Sequence, residues 1–66
     1  MATLQRFTGK TVLVTGAASG IGQATVVRLV AEGATAIGVD TNEEGLRQTV
    51  ARATVTAGEG GSARYL

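Results

Sequence analysis

The eight residues Thr15-Gly16-Ala17-Ala18-Ser19-Gly20-Ile21-Gly22 constrain the fold of this chain more than any other stretch. An apolar run, Thr11-Val12-Leu13-Val14, precedes them, and a segment with helical periodicity begins at about Ile21. Strand, glycine-rich turn and helix start follow one another without a linker. Glycine lets the backbone turn tightly and lets another group come close to it. A helix start presents unpaired N–H groups and the positive end of its dipole, and both attract phosphate. The succession therefore reads as a phosphate cradle, and first as a site for a dinucleotide pyrophosphate.

Size narrows the choices. Sixty-six residues make at most one small domain, and a chain this short is marginal unless it is stapled, liganded or associated. It contains neither cysteine nor histidine, so a disulfide framework, a Cys/His zinc site and a Cys- or His-based catalytic centre are excluded within it. The lack of cysteine fits a cytoplasmic location. Six basic and five acidic residues leave a net charge of +1. They are scattered, and with Phe7 and Tyr65 the sole aromatics the chain offers no nucleic-acid surface. Its apolar stretches are strand-length, far below the roughly 20 residues that span a bilayer. Arg6 and Lys10 near the N-terminus flank no apolar core of the secretory kind.

Residues 1–9 read as a lead-in. The first strand is expected from about Lys10 to Val14, and its continuous Val12–Val14 run suits a strand buried on both faces. From Gly20 to Gly33 the period is helical: Gly22, Val26, Leu29, Val30 and Gly33 share one arc, with Thr25, Arg28 and Glu32 opposite. Arg28 and Glu32 read as an exposed i,i+4 pair, and Gly33 as the helix stop. A second strand is expected over Thr35 to Val39. Thr41-Asn42-Glu43-Glu44 has the spacing of a capping box, with Thr41 as N-cap and Glu44 at N3. Leu46, Val50, Ala53 and Ala57 then mark a second amphipathic helix ending near Gly58, with Arg47 and Arg52 on its outer side. Gly58 to Ser62 is a loop, and Ala63 to Leu66 opens a third strand. The order β-α-β-α-(β) with short connections implies parallel pairing through right-handed crossovers.

The three glycines of the turn have separate tasks. Gly16 permits the tight exit from the strand, Gly20 lets a pyrophosphate approach the backbone, and Gly22 allows close helix–sheet contact. Ser19 can add a hydroxyl bond to phosphate, and the N–H of Ile21 lies in the first helical turn. Glycine-rich strand–helix turns also occur without any ligand. Asp40 favours the ligand: it stands eighteen residues after Gly22, at the end of the second strand, where an acid about 20 residues on bonds the adenosine ribose. A turn or capping aspartate is the plain alternative, but Thr41 already supplies a cap.

Thr15-Gly16-x-x-x-Gly20-Ile21-Gly22 resembles the T-G-x-x-x-G-I-G fingerprint of the short-chain dehydrogenase/reductase family. The first strand, Glu32-Gly33-Ala34 and Val39-Asp40 agree with it, so the resemblance covers nearly the whole chain. It corresponds to the N-terminal part of a family member, a partial dinucleotide-binding (Rossmann) domain over residues 1–66. The resemblance implies an α/β Rossmann-like parallel sheet. It also implies hydride transfer between NAD(H) and a small-molecule alcohol or carbonyl substrate, and a homo-oligomer. Gly16, Ser19, Gly20, Ile21 and Gly22 would line the pyrophosphate, and Asp40 would hold the ribose. Members that prefer NADP commonly carry a basic residue at the positions of Ser19 or Thr41, so NAD is expected here. The family's Tyr-x-x-x-Lys pair has no counterpart, because Tyr65 is followed by Leu66 alone and the one lysine is Lys10. No catalytic residue is assigned within the chain. A binding or structural fragment without activity of its own is the other reading.

Overall fold

The computed structural model describes residues 7–58 and 60–65. Of the expected lead-in this includes 7–9, while Glu59 in the loop and Leu66 at the end of the expected third strand lie outside the described residues. The elements are β1 (Thr11–Thr15), α1 (Gly20–Ala31), β2 (Thr35–Val39), α2 (Glu43–Val55) and β3 (Ser62–Tyr65). The strands form one parallel sheet in the order β1-β2-β3, with Val14 beside Gly38 and Gly38 beside Tyr65. This is the Rossmann-like β-α-β-α-β arrangement expected from the sequence.

Side chains alternate across a strand, and the two faces of this sheet differ sharply. Val14 and Ala36 are buried, and Val12, Ala63 and Tyr65 pack against the same core. That core also contains Ala17, Val26 and Val30 from the turn and α1, and Leu46 and Ala53 from α2. On the other face Leu13 is 61% exposed. Within the described residues one face of the sheet is uncovered, so the expectation that the first strand is buried on both faces is not met by this stretch alone. Two successive right-handed crossovers that advance in one direction place both helices on one side of the sheet.

α1 ends as expected. Glu32 is its C-cap, Gly33 follows at φ +94°, and the N–H groups of Gly33 and Ala34 donate to the carbonyls of Val30 and Leu29 at 3.0 Å. That pairing is the Schellman stop, which needs a left-handed residue just past the cap. Glu32 itself is a correction. Its ion pair with Arg28 exists, but the Arg28 side chain is 71% exposed and that of Glu32 only 1%. The lead-in crosses this corner, with the N–H of Phe7 donating to the Glu32 carbonyl at 3.1 Å.

A second correction concerns the cap of α2, which is Asn42 and not Thr41. The Asn42 side chain accepts from the N–H of Gly45 at 3.0 Å. Thr41 instead helps to hold the neighbouring Asp40 carboxyl below its ordinary pKa, and each of these residue types is a competent N-cap. The last helical turn stops at Val55, short of Gly58, as the β-branched run Thr54-Val55-Thr56 disfavours continuation. Among the described residues no helix is long and apolar enough to cross a membrane.

Candidate functional site

The glycine turn lies where β1 delivers the chain to α1, at the C-terminal edge of the sheet. Open parallel sheets bind their ligands in crevices at that edge. Gly16 has φ +68°, a conformation costly for residues with a Cβ. It lets the chain leave β1 while its N–H still donates to the Val39 carbonyl of β2 at 2.8 Å. Gly22 is buried against this turn: an added Cβ would collide with the Gly16 carbonyl and lie 2.9 Å from the Ala17 Cα. The close approach Gly22 permits is thus to the turn after β1. Gly20 is the opposite case, with nothing within 4 Å of an added Cβ.

Ser19 is the N-cap of α1. Its hydroxyl oxygen accepts from the Gly22 N–H at 3.1 Å and its proton goes to the Gly16 carbonyl at 2.7 Å. The Ser19 carbonyl takes the N–H of Gln23 at 2.8 Å. Two first-turn donors are satisfied in this way. The N–H groups of Gly20 and Ile21, at the start of the same turn, have no acceptor four residues back in the helix. Ile21 is 84% exposed, an apolar side chain standing free beside those donors.

Asp40 is brought to this turn. Its Oδ2 accepts from the N–H of Ala18 at 3.1 Å and its Oδ1 from the N–H of Asn42 at 3.0 Å. The carboxylate clasps the turn to the end of β2, and the Thr41 cap that was expected to leave Asp40 free for another role is not formed. Hydrogen bonds from Asn42 first, then Ala18, hold its pKa below the ordinary aspartate value. Partial desolvation opposes them, and Thr41 adds smaller contributions in the same downward direction.

That shift has a consequence for stability. Since the carboxyl titrates lower in the folded chain, the linked stability is complete above the unfolded pKa and is lost as pH falls through the folded one. The urea midpoint of the wild type should exceed that of Asp40→Asn most clearly near neutrality, and the gap should close below about pH 4.

Three residues that sequence reasoning passed over complete the frame. Thr49 of α2, 1% exposed, places its hydroxyl 2.8 Å from the Ala17 carbonyl. Gln23 of α1 donates to that hydroxyl at 3.1 Å. Gly45 lets α2 start against the turn, since an added Cβ would lie 2.6 Å from the Ala18 Cβ. A threonine in a helix carries no signal of its own. What could have marked these positions is that Gly45 and Thr49 fall on the same helical face as Leu46 and Ala53.

The short chain dehydrogenase family model matches residues 10–65. Levodione reductase of Leifsonia aquatica is 52% identical over 52 residues, which are 79% of this chain and 20% of that protein. Among solved structures, an NAD⁺-bound xylitol dehydrogenase superposes with a TM-score of 0.81 at 39% identity, over 92% of this chain and 22% of the other. A short chain dehydrogenase of Escherichia coli CFT073 complexed with NADPH gives 0.80 at 32% identity, over 91% and 24%. The chain spans about one fifth of the length of the curated relatives it matches. The matched stretch takes in every strand and helix described above, and the chain belongs to the short chain dehydrogenase family.

Proposed function

We propose that this chain is the cofactor-holding segment of an oxidoreductase that exchanges hydride between NAD(H) and an alcohol or carbonyl compound. The observation that carries the reading is the 3.1 Å bond between Asp40 and the Ala18 N–H. It sets a carboxylate beside a helix start whose first donors are unpaired within the helix. The residues suit the group. The Gly20 and Ile21 N–H groups face phosphate with the dipole behind them, Gly16 and Gly22 shape the turn that presents them, and Gly20 adds no bulk in front. Ser19 contributes by capping, because its proton is already committed to Gly16.

Asp40 accepts from the adenosine ribose hydroxyls. An ionised carboxylate offers about four lone-pair sites, and two backbone bonds leave capacity for a further donor. A 2′-phosphate would meet that negative charge without compensation from Ser19 or Thr41, which stand where a basic residue would favour NADP. Relatives in complex with NAD⁺ and with NADPH both exist, so the preference for NAD rests on these three residues. When bound, the nicotinamide supplies the hydride acceptor or donor. The part of this chain is to bind and orient it, with proton transfer and substrate contacts assigned outside these residues. By family likeness the working protein is a homo-oligomer.

Gly20→Ala separates binding from folding. The methyl group enters open space and a helical position, so the urea midpoint should stay level or rise slightly. It also stands between backbone and pyrophosphate, so NAD⁺ affinity by calorimetric titration should fall by about tenfold, the equivalent of losing about one good hydrogen bond. Unchanged affinity in a folded Gly20→Ala protein would remove the turn from the binding site.

A further inference from the structure

The Ala17–Ala18 peptide is held at both ends. Its carbonyl, on Ala17, accepts the Thr49 hydroxyl at 2.8 Å, and its N–H, on Ala18, donates to Asp40 Oδ2 at 3.1 Å. Carbonyl and N–H of one trans peptide lie in a single rigid plane and point opposite ways. Rotation that frees one end therefore swings the other away from its partner. Thr49 and Asp40 do not touch, yet they restrain the same plane from opposite sides.

We infer that Thr49 is a positioning residue that sets the orientation of the Asp40 carboxylate, and with it the discrimination between a free and a phosphorylated ribose, by locking the Ala17–Ala18 peptide. The part about the ribose rests on the function proposed above. Three observations support the lock. First, the Thr49 hydroxyl is buried and has one proton. It lies within reach of its own-helix Gly45 carbonyl at 3.0 Å and of Ala17 at 2.8 Å. Of the two, Gly45 sits four residues back in α2 and accepts the Thr49 backbone N–H in any case, so Ala17 is the acceptor that needs the proton. Second, Gln23 donates to the Thr49 oxygen at 3.1 Å and orients it from α1. Third, the plane follows Gly16 at φ +68°, where the backbone is least restrained by its own side chains. A turn that begins in this way needs an external restraint to present one geometry.

The restraint also explains why a polar side chain occupies the apolar face of α2. A valine of the same shape would fill the same buried space equally well. It would leave the Ala17 carbonyl, in a fully buried residue, without the hydroxyl it now accepts.

The test compares Thr49→Val, which keeps the shape and removes the hydroxyl, with Thr49→Ser, which keeps the hydroxyl. The intact protein, isotopically labelled at alanine and aspartate, reports the Asp40 carboxyl titration and the Ala18 amide shift by NMR. Calorimetry reports NAD⁺ and NADP⁺ affinities. In Thr49→Val the Asp40 pKa should rise, the Ala18 amide proton should move upfield, and NAD⁺ should bind about tenfold more weakly, as for one lost buried hydrogen bond. NADP⁺ should change less, so the ratio of the two affinities narrows. Thr49→Ser should restore all three. If Thr49→Val does not fold, Gln23→Met removes the donor that orients the hydroxyl and should give smaller shifts in the same directions. An Asp40 titration and an Ala18 shift that stay put in a folded variant overturn the lock, whatever happens to the melting temperature. Shifts of Asp40 in a protein that never binds NAD⁺ uphold the lock and overturn the ribose assignment.

Discussion

Gly22→Ala should lower the stability of the protein by about 3 kcal/mol, the upper part of the usual cost of overpacking, and should weaken NAD⁺ binding as well. The added Cβ would run into the Gly16 carbonyl and come within 2.7 Å of its carbon and 2.9 Å of the Ala17 Cα. All three are backbone atoms, so no side chain can rotate away. Either α1 retreats from the turn or the turn opens. The first breaks the Gly22 N–H bond to Ser19, and the second disturbs the Gly16 N–H bond to Val39. Urea denaturation of Gly22→Ala beside Gly20→Ala makes the comparison internal, since both replace a glycine in the first turn of one helix. If the two midpoints coincide, the close approach at Gly22 is not what holds the turn.

Leu46→Ala should cost a similar amount, about 3 kcal/mol within the usual 2–5 for such truncations. Leu46 is the largest of the fully buried side chains. It lies over Gly38, where an added Cβ would be 3.3 Å from Leu46 Cδ2 and 2.9 Å from the Ala17 Cβ. The central strand is thinned at that point so that a leucine from α2 and an alanine from the turn can fit side by side. Truncation leaves a cavity under the turn itself. Leu46→Met, which conserves volume, should stay within about 1.5 kcal/mol of wild type. Equal losses in the two variants would mean that the site demands the leucine shape rather than filled volume.

The strand–turn–helix succession, the parallel order of elements and the place of Asp40 at the end of the second strand were legible in the sequence. Each is written in local signals: apolar runs of strand length, a switch to a helical period, and glycines at the switch. What stayed hidden depends on tertiary context, and at Thr49 on a neighbour distant along the chain. Glu32 sits opposite the apolar arc of α1 and by its own helix should be solvated, yet its side chain is buried, at a corner where the Phe7 N–H bonds the Glu32 carbonyl. The choice of cap between Thr41 and Asn42 depends on how the chain leaves β2: the Asp40 carboxylate takes the Asn42 N–H, and the Asn42 side chain caps α2. Leu13 reads as core because an apolar run does not say how many faces of a sheet are covered. Thr49 was invisible as a positioning group because its partner, a backbone carbonyl 32 positions earlier, leaves no trace in residue type.

The strand order has a further meaning for how the molecule comes together. Each strand pairs with the next one in sequence, Thr11 with Thr35 and Thr35 with Ser62, and a single helix bridges each pair. Among parallel pairings that need a crossover, those between consecutive strands close the shortest loops, and shorter separation between partners favours assembly. The turn, its cap and its carboxylate clasp all belong to the first of these units and the start of the second. The cradle can therefore form early and act as the template on which β3 is laid down. A defect in the turn, such as alanine at Gly22, would accordingly slow refolding more than it hastens unfolding.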